Sequence, residues 1–144
     1  MKLELVRDWM SRDVVTISPE ALLSDAQQLM TAHQIRRLPV VENGRLAAIL
    51  TANDIKNAIT IDNRSHLTVS LVASPQPITV SPDNTIGHAA QTMLDNKISG
   101  LPVLDAQQNL VGIITESDIF RLVVHGWARA QDDPPAPFAH YGHK

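Results

Sequence analysis

The hydrophobic positions change their period in a fixed order along the chain, and this order occurs twice. Short β-branched stretches at 15–17 and 78–80 each run into Ser-Pro and an acidic residue, a signal that closes a strand and opens a helix. Stretches 23–30 and 86–93 then carry apolar residues at the i, i+3, i+7 spacing of a buried helical stripe. Each half is therefore predicted to begin with a strand and a helix.

A hairpin and a second helix are predicted next in each half. In the first half, two apolar runs flank Asn43 and Gly44, which is a strong hairpin signal because both residue types tolerate positive φ. The second half has two apolar runs at the corresponding positions. A final helix is predicted to start at Thr51 or Thr115, so the unit has the order β-α-β-β-α.

Direct comparison of the halves shows an internal duplication. Residues 15–20 (VTISPE) return as 78–83 (ITVSPD), and Leu-Pro-Val at 38–40 returns 63 positions later. After one inserted residue, which falls in the hairpin turn, the pattern Leu-Thr-x-x-Asp-Ile at 50–55 returns 64 positions later with isoleucine in place of its leucine. Two copies of one supersecondary unit therefore account for most of the chain.

The duplication sets the predicted domain organisation. We assign residues 1–62 to the first repeat, 63–125 to the second repeat and 126–144 to a flexible, proline-containing tail. One repeat of about 60 residues buries too little surface to be stable alone, so the two copies are expected to pack as a pseudo-twofold α/β (α+β) sandwich. A short helix is also predicted ahead of each copy, at 6–10 and 69–73.

Composition narrows the classes of function. The chain has 144 residues, 44% of them hydrophobic and 19% charged, as expected for a globular protein. A net charge of −3 and only 3% aromatic residues argue against a nucleic-acid partner. No apolar stretch is long enough to span a bilayer, and the lack of cysteine favours a reducing compartment, so we expect a cytoplasmic protein without membrane contact.

No catalytic or metal-binding motif stands out. The six histidines do not form a His-Glu-x-x-His arrangement, and the six glycines form neither a nucleophile elbow nor a phosphate loop. His140 and His143 lie three apart, but the prolines before them argue against a helical metal site. We therefore predict no catalytic residue, no metal site and no enzymatic activity, and a small enzyme using Asp and His is the weakest alternative.

The Thr-x-x-Asp motif of each repeat has two interpretations. Thr51 and Thr115 are placed to cap a helix whose first N–H groups carry partial positive charge, so this helix end can bind an anion. The same spacing is also close to a capping box, in which Asp54 or Asp118 folds back on the cap residue and nothing is bound. The residues by themselves leave both interpretations open.

This arrangement of Leu-Pro-Val, a hairpin and Thr-x-x-Asp at the start of a helix resembles the CBS domain, and the tandem pair resembles a Bateman module. The resemblance covers roughly residues 6–124. It implies a regulatory module that requires no cofactor and binds AMP, ADP, ATP or S-adenosylmethionine between its repeats. It also implies a homodimer and a separate regulated protein, whose identity the sequence does not contain.

The resemblance also implies two clefts, each formed by residues of both repeats. In each cleft an aspartate binds the ribose hydroxyls of the ligand and a threonine faces its phosphate. The first cleft is assigned to Arg37, Ile49, Thr51, Asp54, Thr79, Val80, Ile98 and Ser99. The second cleft is assigned to Thr16, Ile17, Ile35, Arg36, Ile113, Thr115, Ser117 and Asp118. The clefts are not equivalent, because Arg37 of the first repeat corresponds to Gly100 of the second, which brings no charge to a phosphate.

Two functions from different classes follow from these observations. In the first, an adenosyl ligand favours one packing of the repeats and so changes what a partner protein contacts. In the second, the pair is a ligand-free scaffold for dimerisation or interaction, and the Thr-x-x-Asp motifs only cap helices. The sequence favours the first.

Overall fold

The computed structural model describes residues 3–62 and 66–130, and both repeats have two helices, a two-stranded hairpin and a final helix, with one additional short strand in the second repeat. The linker residues 63–65 and the segment 131–144, with its two histidines, lie outside the described residues. The helices are α1 (Val6–Trp9), α2 (Leu23–His33), α3 (Ala52–Asp62), α4 (Val69–Val72), α5 (Ile86–Asn96) and α6 (Glu116–Ala130). The strands are β1 (Arg37–Glu42), β2 (Arg45–Thr51), β3 (Ser74–Pro75), β4 (Gly100–Leu104) and β5 (Leu110–Thr115).

Each repeat is built on the predicted antiparallel hairpin. Strands β1 and β2 pair with Arg37 opposite Thr51, and β4 and β5 pair with Gly100 opposite Thr115. The first turn contains Asn43 and Gly44 at φ 53° and 77°, which is the left-handed conformation that the Asn-Gly pair predicts. The hairpins therefore bring the end of each second strand, and with it the Thr-x-x-Asp motif, next to the start of the first strand.

The predicted first strand of each repeat is only a single bridge. Ile17 pairs in parallel with Val40, and Val80 pairs in parallel with Val103. Val80 donates its N–H to the Pro102 carbonyl at 3.1 Å and accepts the Leu104 N–H at 2.9 Å. Two hydrogen bonds fix each segment, and the following Ser-Pro turn ends the pairing because proline cannot donate to a ladder.

The short helices ahead of the repeats are present, but each packs on the other repeat. Val6 of α1 is buried in the core of the second repeat, and Val69 of α4 is buried in the core of the first. The backbone contacts match, since Val6 donates to the Asn84 carbonyl at 2.9 Å and Val69 donates to the Ala21 carbonyl at 2.8 Å. Neither sequence repeat therefore contains its complete hydrophobic core, which ties the two halves together.

The last helix runs past the predicted end of the second repeat. Helix α6 continues to Ala130, so residues 126–130, the first part of the predicted tail, are helical. Helix α6 packs on α1, where the rings of Trp9 and His125 meet edge to face with centroids 5.6 Å apart. Within the described ranges, no helix has the length and apolar character needed to cross a bilayer.

Candidate functional site

A cleft of about 980 Å³ lies where the two repeats meet. The first repeat supplies the adjoining ends of β1 and β2 and the first turns of α3. The second repeat supplies the end of α5, residues 97–100 and the first turns of α6. The segment 74–78, which leads into the second repeat, lines the same cleft. The cleft has the size of a small-molecule site, and both repeats are needed to form it.

The cleft contains six of the eight residues assigned to the first site. They are Arg37, Ile49, Thr51 and Asp54 from the first repeat and Ile98 and Ser99 from the second. Thr79 and Val80 are not among its lining residues and instead border a separate surface groove. Val80 is held in the core of its own repeat by the parallel bridge to Val103, and the assignment of Thr79 and Val80 to the first site stays a prediction. Ile78, one residue earlier, lines the cleft.

The Thr51-x-x-Asp54 motif forms a reciprocal cap at the start of α3. Asp54 Oδ2 accepts the Thr51 N–H at 3.0 Å, and Thr51 Oγ1 accepts the Asp54 N–H at 3.1 Å. These are the hydrogen bonds of a capping box, with threonine and aspartate in its two roles. Within residues 3–62 and 66–130, Asp54 Oδ1 has no hydrogen-bond donor, and Asp54 lines the cleft. The cap therefore leaves one carboxylate oxygen to accept hydrogen bonds from a ligand.

The Arg37 side chain crosses from the first repeat to the second. Its Nη2 donates to Ser99 Oγ, and the guanidinium lies over the backbone of Gly100. A Cβ at Gly100 would lie 2.5 Å from Arg37 Nε, so only glycine leaves room for the arginine in this position. Arg37, which has no counterpart arginine in the second repeat, therefore lies at the boundary between the repeats. It packs against Gly100, the residue at the corresponding position of the second repeat.

Burial is the largest influence on this arginine and lowers the pKa of Arg37 from its ordinary value. The adjacent Arg36 lowers that pKa as well, whereas Glu116 and Asp118 raise it. The guanidinium stays protonated at neutral pH under any such shift. Arg37 is therefore a partly desolvated fixed cation at the cleft, where attraction to an anion is screened less than at the surface.

The residues assigned to the second site are not brought together in a described cavity. Ile35 and Arg36 border a groove of about 640 Å³ between α2 and α3, and Arg36 also lines the main cleft. Neither cavity, nor the third groove beside residues 79–84, is lined by the other six: Thr16, Ile17, Ile113, Thr115, Ser117 and Asp118.

Asp118 differs from Asp54 in burial and in its partners. Asp118 is 2% exposed, and its Oδ2 accepts the Thr115 N–H at 2.8 Å and the Thr115 hydroxyl at 3.2 Å. Its other oxygen is paired with Arg121. Both oxygens are thus engaged, and the carboxylate faces the interior. In both copies the aspartate accepts the threonine N–H, but the threonine hydroxyl accepts from the backbone at Asp54 and donates to the carboxylate at Asp118. Asp54 lines the main cleft and Asp118 does not.

Most of the other cleft residues were not predicted from the sequence, and Ile78, Lys97, Glu116 and Phe120 are among them. Lys97 ends α5 in the left-handed conformation, with φ 55°, as Gln34 does at the end of α2. A glycine or asparagine usually marks this position, so the lysine gave no signal. In the described part of the chain, no group of three or more His, Cys, Asp or Glu side chains is arranged to hold a metal ion.

Comparison with known proteins gives consistent matches along the chain. The family model for the CBS domain matches residues 6–61 and 69–125. The chain is 37% identical over 115 residues to the CBS domain-containing protein YhcV of Bacillus subtilis, which covers 79% of this chain and 81% of that protein. It is 36% identical over 122 residues to inosine-5′-monophosphate dehydrogenase of Korarchaeum cryptofilum, but it spans only 25% of that enzyme.

A solved structure with a similar fold is the CBS domain pair of protein MJ0100 in complex with 5′-methylthioadenosine and S-adenosyl-L-methionine. Its TM-score is 0.81 at 31% identity, over 87% of this chain and 99% of that chain. The match confirms the predicted mixed fold of two repeats.

Proposed function

The chain belongs to the CBS domain family, and from this premise we propose that it is a regulatory module that binds one adenosyl ligand in the cleft between its repeats. The ligand class comprises AMP, ADP, ATP and S-adenosylmethionine, together with the related 5′-methylthioadenosine. The module acts on a separate partner protein and has no catalytic centre of its own. Its cytoplasmic location stays a prediction.

One observation carries this proposal: Arg37, Thr51 and Asp54 of the first repeat share a cleft with Ile98 and Ser99 of the second. Each group suits one part of an adenosyl ligand. Isoleucine side chains from both repeats offer apolar surface to a base, and the open oxygen of Asp54 accepts from ribose hydroxyls. The Arg37 guanidinium and the start of α3 suit a phosphate. The complex of the MJ0100 domain pair supports the ligand class, since that pair binds two adenosyl compounds.

The rival function is a ligand-free scaffold, and the capping hydrogen bonds favour it. Thr51 and Asp54 already satisfy each other, as do Thr115 and Asp118, so both motifs have a structural role without any ligand. The scaffold hypothesis does not explain why Arg37 lies half-buried in a cleft that both repeats line.

Thermal unfolding and calorimetry of the full chain separate the two functions. The panel is AMP, ADP, ATP, S-adenosylmethionine and 5′-methylthioadenosine, with GTP as the control for the base. A ligand at 100 times its dissociation constant adds about 2.7 kcal/mol and is expected to raise Tm by roughly 5–10 °C. Calorimetry should give one ligand per chain. If no adenosyl compound shifts Tm, the scaffold is correct.

Replacing Arg37 by alanine is expected to weaken AMP binding about tenfold at low salt and less at high salt, because the lost interaction is a charge attraction to phosphate. Titrations at about 20 mM and about 500 mM NaCl measure the difference. 5′-Methylthioadenosine has no phosphate and serves as the control ligand, whose affinity should change little. Equal losses for both ligands at both salt concentrations would remove Arg37 from the phosphate site.

Replacing Gly100 by alanine tests the position of the Arg37 side chain without changing any charge. The new methyl group would lie 2.5–2.8 Å from atoms near the end of the arginine, which must swing away. AMP affinity is expected to fall about threefold or more, with little change in the free energy of unfolding because the displaced group is flexible. Gly87→Ala is the matched control, since a Cβ there lies 3.8 Å from its nearest neighbour. Calorimetric titration of both variants gives the answer, and an unchanged affinity in Gly100→Ala would contradict the assigned position of Arg37.

A further inference from the structure

The main cleft continues along the second repeat as a groove between α5 and α6. We name it the α5–α6 groove and define it by its apolar lining residues: Ala90, Met93, Leu94, Ile98, Ile119 and Phe120. Leu94 is 73% exposed and Phe120 is 63% exposed, so their apolar surfaces are open to a ligand. The proposed nucleotide position uses Ile98 of this groove and leaves the other apolar side chains without a role.

The first repeat has a corresponding groove, which forms a cavity of its own. It lies between α2 and α3 and has a volume of about 640 Å³. Three of its apolar residues correspond to residues of the α5–α6 groove: Met30 to Met93, Ile35 to Ile98 and Ile55 to Ile119. The fold of each repeat therefore produces a groove at this place, and the groove of the second repeat is part of the main cleft.

The two grooves differ in the side chains that line them. Three polar residues of the first groove are replaced by apolar residues in the second: Gln27 by Ala90, Thr31 by Leu94 and Lys56 by Phe120. Because the repeats share their fold, the fold itself does not require apolar side chains at these positions. A cluster of exposed apolar side chains on a globular protein marks a contact with another molecule. The α5–α6 groove is therefore suited to an apolar group of a ligand.

Arg37 lies where this groove joins the part of the cleft that the first repeat lines. On one side, Arg37 is paired with Thr51 in the first hairpin, next to the cap of α3. On the other side, its guanidinium donates to the Ser99 hydroxyl, directly after Ile98 of the groove. The Glu116 N–H donates to the Ser99 carbonyl at 3.0 Å, so the start of α6 is held at the same point. A phosphate bound by Arg37 thus has the Thr-x-x-Asp motif on one side and the α5–α6 groove on the other.

We propose that the α5–α6 groove is a subsite for an apolar chain carried on the 5′-phosphate of the ligand. The ligand class is then an adenylate whose phosphate bears an alkyl or acyl chain, and this inference rests on the proposed function of the cleft. Such a phosphate keeps one negative charge, which Arg37 can bind, while the chain leaves water along Leu94 and Phe120. The charged extensions of ADP and ATP gain nothing from an apolar groove, because burial of a charge there is unfavourable.

Calorimetric titration of the full chain with the methyl, butyl and hexyl esters of AMP tests the subsite. The three esters have the same charge and differ only in apolar chain length. We expect the affinity to rise about two- to threefold for each added CH₂ group, so that the hexyl ester binds at least about 30-fold more tightly than the methyl ester. ADP-ribose, which carries a polar extension on the same side, should bind no better than the methyl ester.

The double variant Leu94→Thr with Phe120→Lys places the residues of the first repeat in the groove. We expect the ratio of methyl-ester to hexyl-ester dissociation constants to fall to about fivefold or less, and circular dichroism verifies that the variant is folded. Leu71→Thr is the matched control, because Leu71 is 71% exposed but lies on α4 and does not line the cleft. Its ratio should equal that of the unsubstituted chain.

The outcomes separate this subsite from the function of the cleft. If AMP and its methyl ester bind but the affinity does not rise with chain length, the subsite is wrong and the nucleotide site stands. A double variant that keeps the full ratio would place the chain outside the groove and overturn the subsite as well. If neither AMP nor any ester binds, the proposed function and the subsite both fail.

Discussion

Asp54→Asn is expected to lower the affinity for 5′-methylthioadenosine and for AMP by ten- to a hundredfold. The carboxylate of Asp54 has one oxygen engaged in the cap of α3, and the residue lines the cleft. Asparagine keeps an acceptor for the Thr51 N–H but loses the charged acceptor for ribose hydroxyls. A hydrogen bond to a charged group contributes about 1.5–3 kcal/mol, and about 1.4 kcal/mol is a factor of ten in affinity.

The internal duplication supplies the matched control for this variant. Asp118→Asn makes the same chemical change in the second repeat, where the carboxylate is buried and does not line the cleft. Its effect on 5′-methylthioadenosine binding should be within about twofold, after calorimetry at a temperature where both variants are folded. Equal losses in the two variants would contradict a single site at Asp54. An unchanged affinity in Asp54→Asn would contradict any role of that carboxylate in binding.

Asp118→Ala is expected to reduce the free energy of unfolding by about 2–3 kcal/mol, more than any other variant described above. The carboxylate accepts two hydrogen bonds from Thr115. Loss of a capping side chain costs about 0.5–2 kcal/mol, and a buried donor left without a partner costs about 1–3 kcal/mol. The ion pair with the exposed Arg121 contributes little, because solvent screens such pairs.

Urea denaturation of Asp118→Ala beside Asp54→Ala measures this difference. We expect the second variant to lose about 1 kcal/mol, since the half-buried Thr51 and Asp54 can exchange their lost partners for water. If both variants lose the same amount, the distinction between a structural aspartate and a ligand-facing aspartate is wrong. The two aspartates would then serve the same purpose despite their different burial.

The two copies of the Thr-x-x-Asp motif are expected to have different roles. Both copies cap a helix, which explains why threonine and aspartate keep their spacing in each repeat. In the first repeat the motif opens into a cleft with Arg37, and in the second it is closed by burial and by Arg121. The two repeats thus share one fold and one capping motif. The residues around the motif differ, so the first copy lies at the cleft and the second copy is buried.

The local sequence determined the elements of this protein. The Asn-Gly turn, the apolar helical stripes and the Thr-x-x-Asp caps act between residues a few positions apart, and all are recognisable in the sequence. The shift of 63–64 positions between the copies also fixed the two-repeat organisation. These features could be predicted because their physical causes are contained within a turn or a hairpin.

The tertiary structure decided what lies between the repeats. In the folded chain, the short helix ahead of each repeat packs on the other repeat. Val6 therefore completes the core of the second repeat and Val69 completes the core of the first. The tertiary structure also buried Asp118 while leaving Asp54 at the cleft, and it laid Arg37 against Gly100. Sequence periodicity shows which side of an element is buried but not which repeat buries it. That choice depends on contacts between residues about 60 positions apart, and only the packed molecule contains them.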